Sequence, residues 1–248
     1  MWGRLATVGN LLADCQSANP GRYNRTFAPI NNRRAGCHPA PHCMKIAIVD
    51  SGIHPGHPHV GEIAGAVEIT LAGEGQDTID RLGHGTTIAG AIREKVPDAA
   101  LYAVKVFDRK LATNVGVILH ALAWCREHRM DLVNLSLGTE NPAHRERLLR
   151  AIGDDLLVVG AANLLPGSLP GVIGVASDPA CPRDAFHYRA GVFYASPYPR
   201  PIPGVPVARN LQGSSFAVAN MTGLVARVLQ VTPRSEIREA LIAHAIKT

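Results

Sequence analysis

The chain has 248 residues, 46% of them hydrophobic and 18% charged, and carries a net charge of +5. That length holds a full core in one large domain or two small ones, and Gly plus Pro, about a sixth of the chain, stay below the level of low-complexity or collagen-like sequences, which excludes a wholly disordered protein. The charge comes from 20 Arg against 5 Lys, scattered rather than gathered into a stripe that would track phosphates, so no nucleic-acid partner is expected.

Residues 1–43 hold five Arg, one acid (Asp14) and three of the five Cys, with little apolar periodicity beyond Leu5 to Leu12. A poorly structured extension is expected there, followed by one domain over 44–248. No unbroken apolar run or small-residue cleavage site follows the first arginine, and Asp14 spoils the lipoprotein-like run ending at Cys15, so secretion is not expected. The favoured reading is that translation starts at Met44, directly before the apolar run Lys45 to Val49. Cysteines at 15, 37, 43, 125 and 181 are odd in number, irregularly spaced and free of any C-x-x-C pair. That usage fits a reducing compartment, and a cytoplasmic location is the expectation.

From Met44 on, short β-prone apolar runs alternate with helical patterns, as βαβ units of a parallel sheet require. The β candidates are 45–49, 100–107, 131–137, 156–162 and 171–177. The last two lie in the longest uncharged stretch, Leu156 to Ser177, which Asn163, Pro166, Gly167 and Pro170 interrupt where a membrane span needs about twenty mostly apolar residues. No membrane partner is expected. Between the strands, Val117, Ile118, Ala121, Leu122 and Trp124 recur at helical spacing within 114–128, and 143–152 repeats the pattern more faintly. Two helices close the chain. For the second, Thr232 and Pro233 read as N-cap and first helical residue, with Ile237, Leu241, Ile242 and Ala245 on one apolar face.

Three motifs carry chemistry. Asp50 ends the first apolar strand in Asp50-Ser51-Gly52, where open α/β sheets present functional groups. His84 stands between Gly83 and Gly85 at the start of a small-residue helix, in a setting a core histidine rarely needs. Gly213-Ser214-Ser215-Phe216-Ala217 delivers Ser215 to a helix N-terminus whose N–H groups favour developing negative charge, although a serine there also serves as a plain N-cap. Asp, His and Ser in this order strengthen one another as candidates for a nucleophilic triad.

Asp-Ser-Gly at 50–52, His-Gly-Thr-x-x-Ala-Gly at 84–90 and Gly-Ser-Ser-x-Ala at 213–217 resemble the three catalytic signatures of the subtilases, the subtilisin-like serine peptidases, whose Asp, His, Ser chain order is a known hallmark. The resemblance covers essentially all of 44–248 and extends to Ala103-Val104-Lys105-Val106 and to Asp131 through Gly138. It implies an α/β fold, a three-layer αβα sandwich with a mainly parallel central sheet. It also implies Ser215 as nucleophile, His84 as general base and then acid, Asp50 as the group that orients the imidazole, and an acyl-enzyme. Asn163 lies where the family places its oxyanion-hole Asn, beside the Ser215 backbone N–H; capping of a strand end is the plainer role for such a residue. Ser136, Leu137 and Gly138 resemble the segment that pairs with an extended peptide substrate.

The chain departs from the family pattern at Ala162, where Gly is usual, at Ser214 in place of Thr, and at Ala219 in place of Pro. The loop after Asn163 is short and no calcium loop of clustered carboxylates is evident. Neither a metal nor another cofactor is expected. His54, His57 and His59 are close enough in sequence to invite a transition metal, but Pro55 and Pro58 constrain the turn, and the resemblance implies a structural His-Pro pair here, with a substrate-side role equally open. Arg145, Arg147 and Arg150 make a basic helix surface, read as solvated charge or as a contact for an acidic substrate segment. Cys125, Cys181 and Trp124 read as buried.

The expected function is a serine endopeptidase acting on a peptide or protein, of narrow specificity. Small subtilases of this kind resemble those that remove leader peptides from modified peptides, including the enzymes that mature the cross-linked small subunit of quinohemoprotein amine dehydrogenase. Two alternatives stay open: a transpeptidase or cyclase in which a peptide amine captures the acyl-enzyme, and a peptide-binding module that kept the fold without catalysis.

Overall fold

A computed structural model describes residues 43–206 and 209–246; the extension expected over 1–43 lies almost wholly outside the described residues. In chain order the elements are β1 (Lys45–Asp50), β2 (Gly65–Thr70), β3 (Gly73–Gly75), α1 (His84–Arg93), β4 (Ala100–Lys105), α2 (Val115–Glu127), β5 (Leu132–Leu135), α3 (Arg145–Ile152), β6 (Val158–Ala161), β7 (Ile173–Ser177), β8 (Phe186–Arg189), β9 (Val192–Ala195), α4 (Ser214–Leu229) and α5 (Ile237–His244). The strands form one sheet in the order β3-β2-β4-β1-β5-β6-β7-β9-β8. Only β3 on β2 and β8 on β9 pair antiparallel.

Strand period two divides the core between the sheet's faces. Ile46 and Ile48 of β1 point into a cluster with Ile88 and Ile92 of α1, Val218 and Val225 of α4, and Leu241 of α5. Ala47 and Val49 point the other way, onto Ile118 and Leu122 of α2 and Leu148 of α3. Three layers follow, with both faces of the parallel strands covered, which is why these strands read as continuous apolar runs. From β1 the chain builds β2, β3 and β4 on one side of it and then crosses to β5 on the other. The carboxyl end of β1 is therefore a topological switch point, where open α/β sheets leave a crevice.

All five expected strands are present: β1 runs one residue further, to Asp50, and the other four are shortened at their ends. Four more were not anticipated, for local reasons. Two of the three residues of β3 are glycine. The β8–β9 hairpin turns on Ala190 (φ 50°) and Gly191 (φ 85°), so a positive φ falls on an alanine where the usual Asn-Gly or Asp-Gly signal is missing. The α2 expectation holds, with Asn114 as N-cap accepting from the Val117 N–H at 3.2 Å.

The last helix begins later than expected. Pro233 is extended (φ −57°, ψ 144°) and leads into a 3-10 turn over Arg234–Glu236, so Thr232 is not the N-cap and α5 starts at Ile237. In so short a helix Ile237 and Leu241, one turn apart, take the core-facing line, and Ile242 is left 39% exposed. Among the described residues no helix is long and apolar enough to cross a membrane.

Candidate active site

Asp50 arrives at the crevice as the last residue of β1 and is 1% exposed. The chain then turns sharply through Gly52 (φ 106°), where a Cβ would lie 2.6 Å from the Thr78 carbonyl oxygen. His84 is the first residue of α1, and Gly85 lets that helix settle on the strand end: a Cβ there would meet the Gly52 carbonyl and sit 3.2 Å from Asp50 Cβ. This close seating brings His84 Nδ1 to 2.8 Å from Asp50 Oδ1. Burial by itself would lower the His84 pKa, but the charge and hydrogen bond of Asp50, together with the charge of Asp80, outweigh it and hold the imidazole above the ordinary histidine range.

A second carboxylate supports the first. Asp80, 2% exposed, accepts from Ser51 Oγ at 2.8 Å, from the N–H groups of Leu82 (3.0 Å), Gly83 (2.8 Å) and Thr86 (2.9 Å), and from Thr86 Oγ1 at 2.6 Å. Ser51 donates its N–H to Asp50 Oδ1 at 2.8 Å, and its Oγ accepts the Gly85 N–H at 3.0 Å. Gly83 makes no side-chain cap for α1, so Ser51 and Asp80 together satisfy the helix's leading N–H groups.

Ser215 is the second residue of α4, and its neighbour Phe216 stacks obliquely on His84 with ring centroids 5.5 Å apart. Ser215 Oγ donates to the Ser136 carbonyl at 3.3 Å, and Ser136 Oγ donates to the Ser215 carbonyl at 3.3 Å. Among the described residues no hydrogen bond joins Ser215 to His84. Below this contact, Asn134 Nδ2 donates to Ser136 Oγ at 2.9 Å, and the Thr222 hydroxyl lies 2.9 Å from Asn134 Oδ1. Asn134 and Thr222 are both buried, so this polar strut ties β5 to α4 through the core.

Leu137 and Gly138 are buried just beyond β5. Thr139 and Leu165 exchange both backbone hydrogen bonds at 2.9 Å, and a Cβ on Gly138 would lie 2.5 Å from the Leu165 carbonyl oxygen and 2.7 Å from Leu164 Cβ. Asn163 is exposed in the turn after β6, the strand next to β5. The expected site residues therefore gather at the carboxyl ends of β1, β5 and β6 and the N-termini of α1 and α4.

The histidines after Asp50 are held in separate contacts. His57 Nδ1 accepts the His59 N–H at 3.2 Å, while His54 is tied through its own N–H to Thr86 Oγ1 at 3.0 Å. Partial burial, then neighbouring positive charge from His54 and Arg200, holds His57 below the ordinary histidine range, and burial with Arg200 does the same for His59. Among the described residues no group of three or more His, Cys, Asp or Glu is arranged to hold an ion. Arg145, Arg147 and Arg150 are exposed on α3. Ser51, Asp80, Asn134 and Thr222 are the polar residues that motif reading passed over. Asn134 could have been flagged as an amide inside the apolar run 132–137, and Asp80 as a carboxylate one helical turn ahead of His84.

The model of the Subtilase family matches residues 42–176, a span that includes Asp50, His84, Ser136 and Asn163 and ends before Ser215. The chain is 28% identical to subtilisin from Bacillus pumilus over 203 residues, covering 73% of this chain and 72% of that protein. It is equally similar to subtilisin E from Bacillus subtilis (strain 168), of which it covers 52%. M-protease from Shouchella clausii (strain KSM-K16) is 31% identical over 213 residues, 77% of this chain and 55% of that protein. The chain thus spans little more than half the length of several curated relatives it matches. Among solved structures, a cold adapted subtilisin-like serine proteinase superposes with a TM-score of 0.61 at 18% identity, over 80% of this chain and 79% of that one.

Proposed function

This chain belongs to the subtilase family and carries a subtilisin-like serine endopeptidase domain, and from that premise we propose that it is a narrow-specificity processing protease, of the kind that removes a leader from a peptide precursor. In this reading Ser215 Oγ attacks the scissile carbonyl while its proton passes to His84 Nε2, and Asp50 holds the imidazole through Nδ1. The oxyanion takes hydrogen bonds from the Ser215 N–H and the Asn163 amide. Collapse breaks the C–N bond as His84 returns the proton to the leaving amine, and water then releases the acyl group by the same steps in reverse.

The observation that carries the catalytic reading is the 2.8 Å contact between His84 Nδ1 and buried Asp50. It fixes the tautomer that leaves Nε2 as the base. Ser215 must first leave the Ser136 carbonyl, and at 3.3 Å that bond is long for O–H···O and cheap to give up. Narrow specificity is supported by the confined substrate segment, since Thr139 is already paired to Leu165 and Gly138 is pressed against Leu164. A reducing, cytoplasmic setting is part of the same proposal, supported by the free buried thiols of Cys125 and Cys181. The Ser215–Ser136 contact is also the one observation that favours a non-catalytic peptide-binding module.

A peptide library digested and read by mass spectrometry tests the proposal. Cleavage at a small, sequence-related set of bonds, lost in Ser215→Ala, is the expected result. Broad cleavage would make the enzyme a general protease, and no cleavage with retained peptide binding would favour the module.

A further inference from the structure

We propose that Asp80, coupled to Asp50 through Ser51, is a positioning residue for His84: it fixes the helix end that presents the imidazole and adds a second negative charge that favours the imidazolium. The proposal rests on the peptidase reading above and adds to it a carboxylate that touches neither substrate nor reacting atoms.

First, a carboxylate buried to 2% exposure is costly unless its lone pairs are filled, and Asp80 receives five donors, from Ser51 Oγ, Leu82 N, Gly83 N, Thr86 N and Thr86 Oγ1. These donors lie on both sides of His84 in the chain, so the histidine backbone is clamped between them. Thr86 Oγ1 in turn accepts the His54 N–H at 3.0 Å, which ties the loop after β1 to the same point. A side chain that must swing a proton between Ser215 and a leaving amine gains from such a fixed base.

Second, Ser51 links the two acids. Its Oγ lies 2.8 Å from Asp80 Oδ1 and 3.1 Å from Asp50 Oδ1, and its single proton serves one of them at a time. The shorter distance assigns that proton to Asp80, and Asp50 Oδ1 takes the Ser51 N–H and the His84 Nδ1–H instead. Asp50 Oδ2 is buried without a hydrogen-bond partner among the described residues, so Oδ1 is the oxygen through which Asp50 meets the imidazole. The charges that act on His84 are Asp50 from β1 and Asp80 from the turn before α1; from α4 the ring meets uncharged Phe216. Both favour the protonated ring that forms as Ser215 is activated.

The rate of Ser215 phosphonylation by a fluorophosphonate, followed from pH 5 to 9, tests this without a known substrate. Asp80→Asn, shown folded by its melting transition, is expected to label about tenfold more slowly on the alkaline plateau, a part of the roughly hundred- to ten-thousandfold that a positioned base supplies, with the midpoint of its acid limb moved to lower pH. A folded Asp80→Asn with the wild-type midpoint overturns the proposal, whether its plateau is unchanged or lowered, because a purely structural carboxylate would leave the midpoint in place. Ser51→Ala covers the case in which Asp80→Asn does not fold. It removes the bridge together with the acceptor of the Gly85 N–H, and about tenfold slower labelling with unchanged reagent affinity is expected; wild-type labelling overturns the proposal. A wild-type protein that takes no label would strike the peptidase reading itself and the positioning role with it, whereas a labelled wild type with unaffected variants strikes the positioning role alone.

Discussion

Asn163 is exposed in a turn and bound to nothing among the described residues, so its amide is free to meet an oxyanion as it forms. Asn163→Ala is expected to lower turnover by about a hundred- to a thousandfold with little change in KM, the loss known for removal of such a donor in subtilisin; steady-state kinetics on a cleaved peptide would check it. Asp50, His84 and Ser215 were legible because each sits in a local signature of glycine and small residues that sterics impose. Their supports were less so. Ser51, Asp80 and Thr86 meet only when α1 is seated on the end of β1, and short polar side chains in a turn carry no periodicity that would mark them. The three histidines at 54, 57 and 59 show the opposite failure, a close spacing in sequence that the turn does not convert into a convergent site.

At the scale of elements, the link between α4 and β5 decides how Ser215 is held. The Thr222 hydroxyl lies 2.9 Å from Asn134 Oδ1 and 2.8 Å from the Val218 carbonyl. Thr222→Val keeps the shape and removes the hydroxyl that the buried Asn134 oxygen and the Val218 carbonyl share, which should destabilise the fold by about 1–3 kcal/mol in urea titrations. Turnover should fall as well, because Asn134 also anchors Ser136 against Ser215; Thr222→Ser should stay close to wild type in both. The parallel strands and α2 were readable from apolar runs and helical spacing, since burial on both faces or along one stripe imposes those patterns. The β8–β9 hairpin and the late start of α5 were not. Ala190 accepts a positive φ only because the pairing of Tyr188 with Phe193 and of Arg189 with Val192 closes the hairpin around it, and Pro233 can open a turn or a helix with the same φ.

For the molecule as a whole, stability should depend on pH through a lysine buried between α1 and α4. Lys95 Nζ donates to Asn220 Oδ1 at 2.7 Å, and burial, only partly offset by Glu94, lowers its pKa from 10.5 to about 8. The unfolded chain keeps this proton up to about pH 10.5 and the folded protein releases it near 8, so between those values unfolding takes up a proton and stability rises with pH, by up to about 3 kcal/mol. Urea titrations across this range should show the rise in wild type and lack that component in Lys95→Met. The effects on activity presuppose an activated serine, and the most direct test of it is the intact mass after treatment with a fluorophosphonate. A single adduct on the wild type, absent from Ser215→Ala and lost or strongly slowed in His84→Ala, is the predicted result. A folded wild type that gains no mass, or an adduct that persists in Ser215→Ala, would contradict the account.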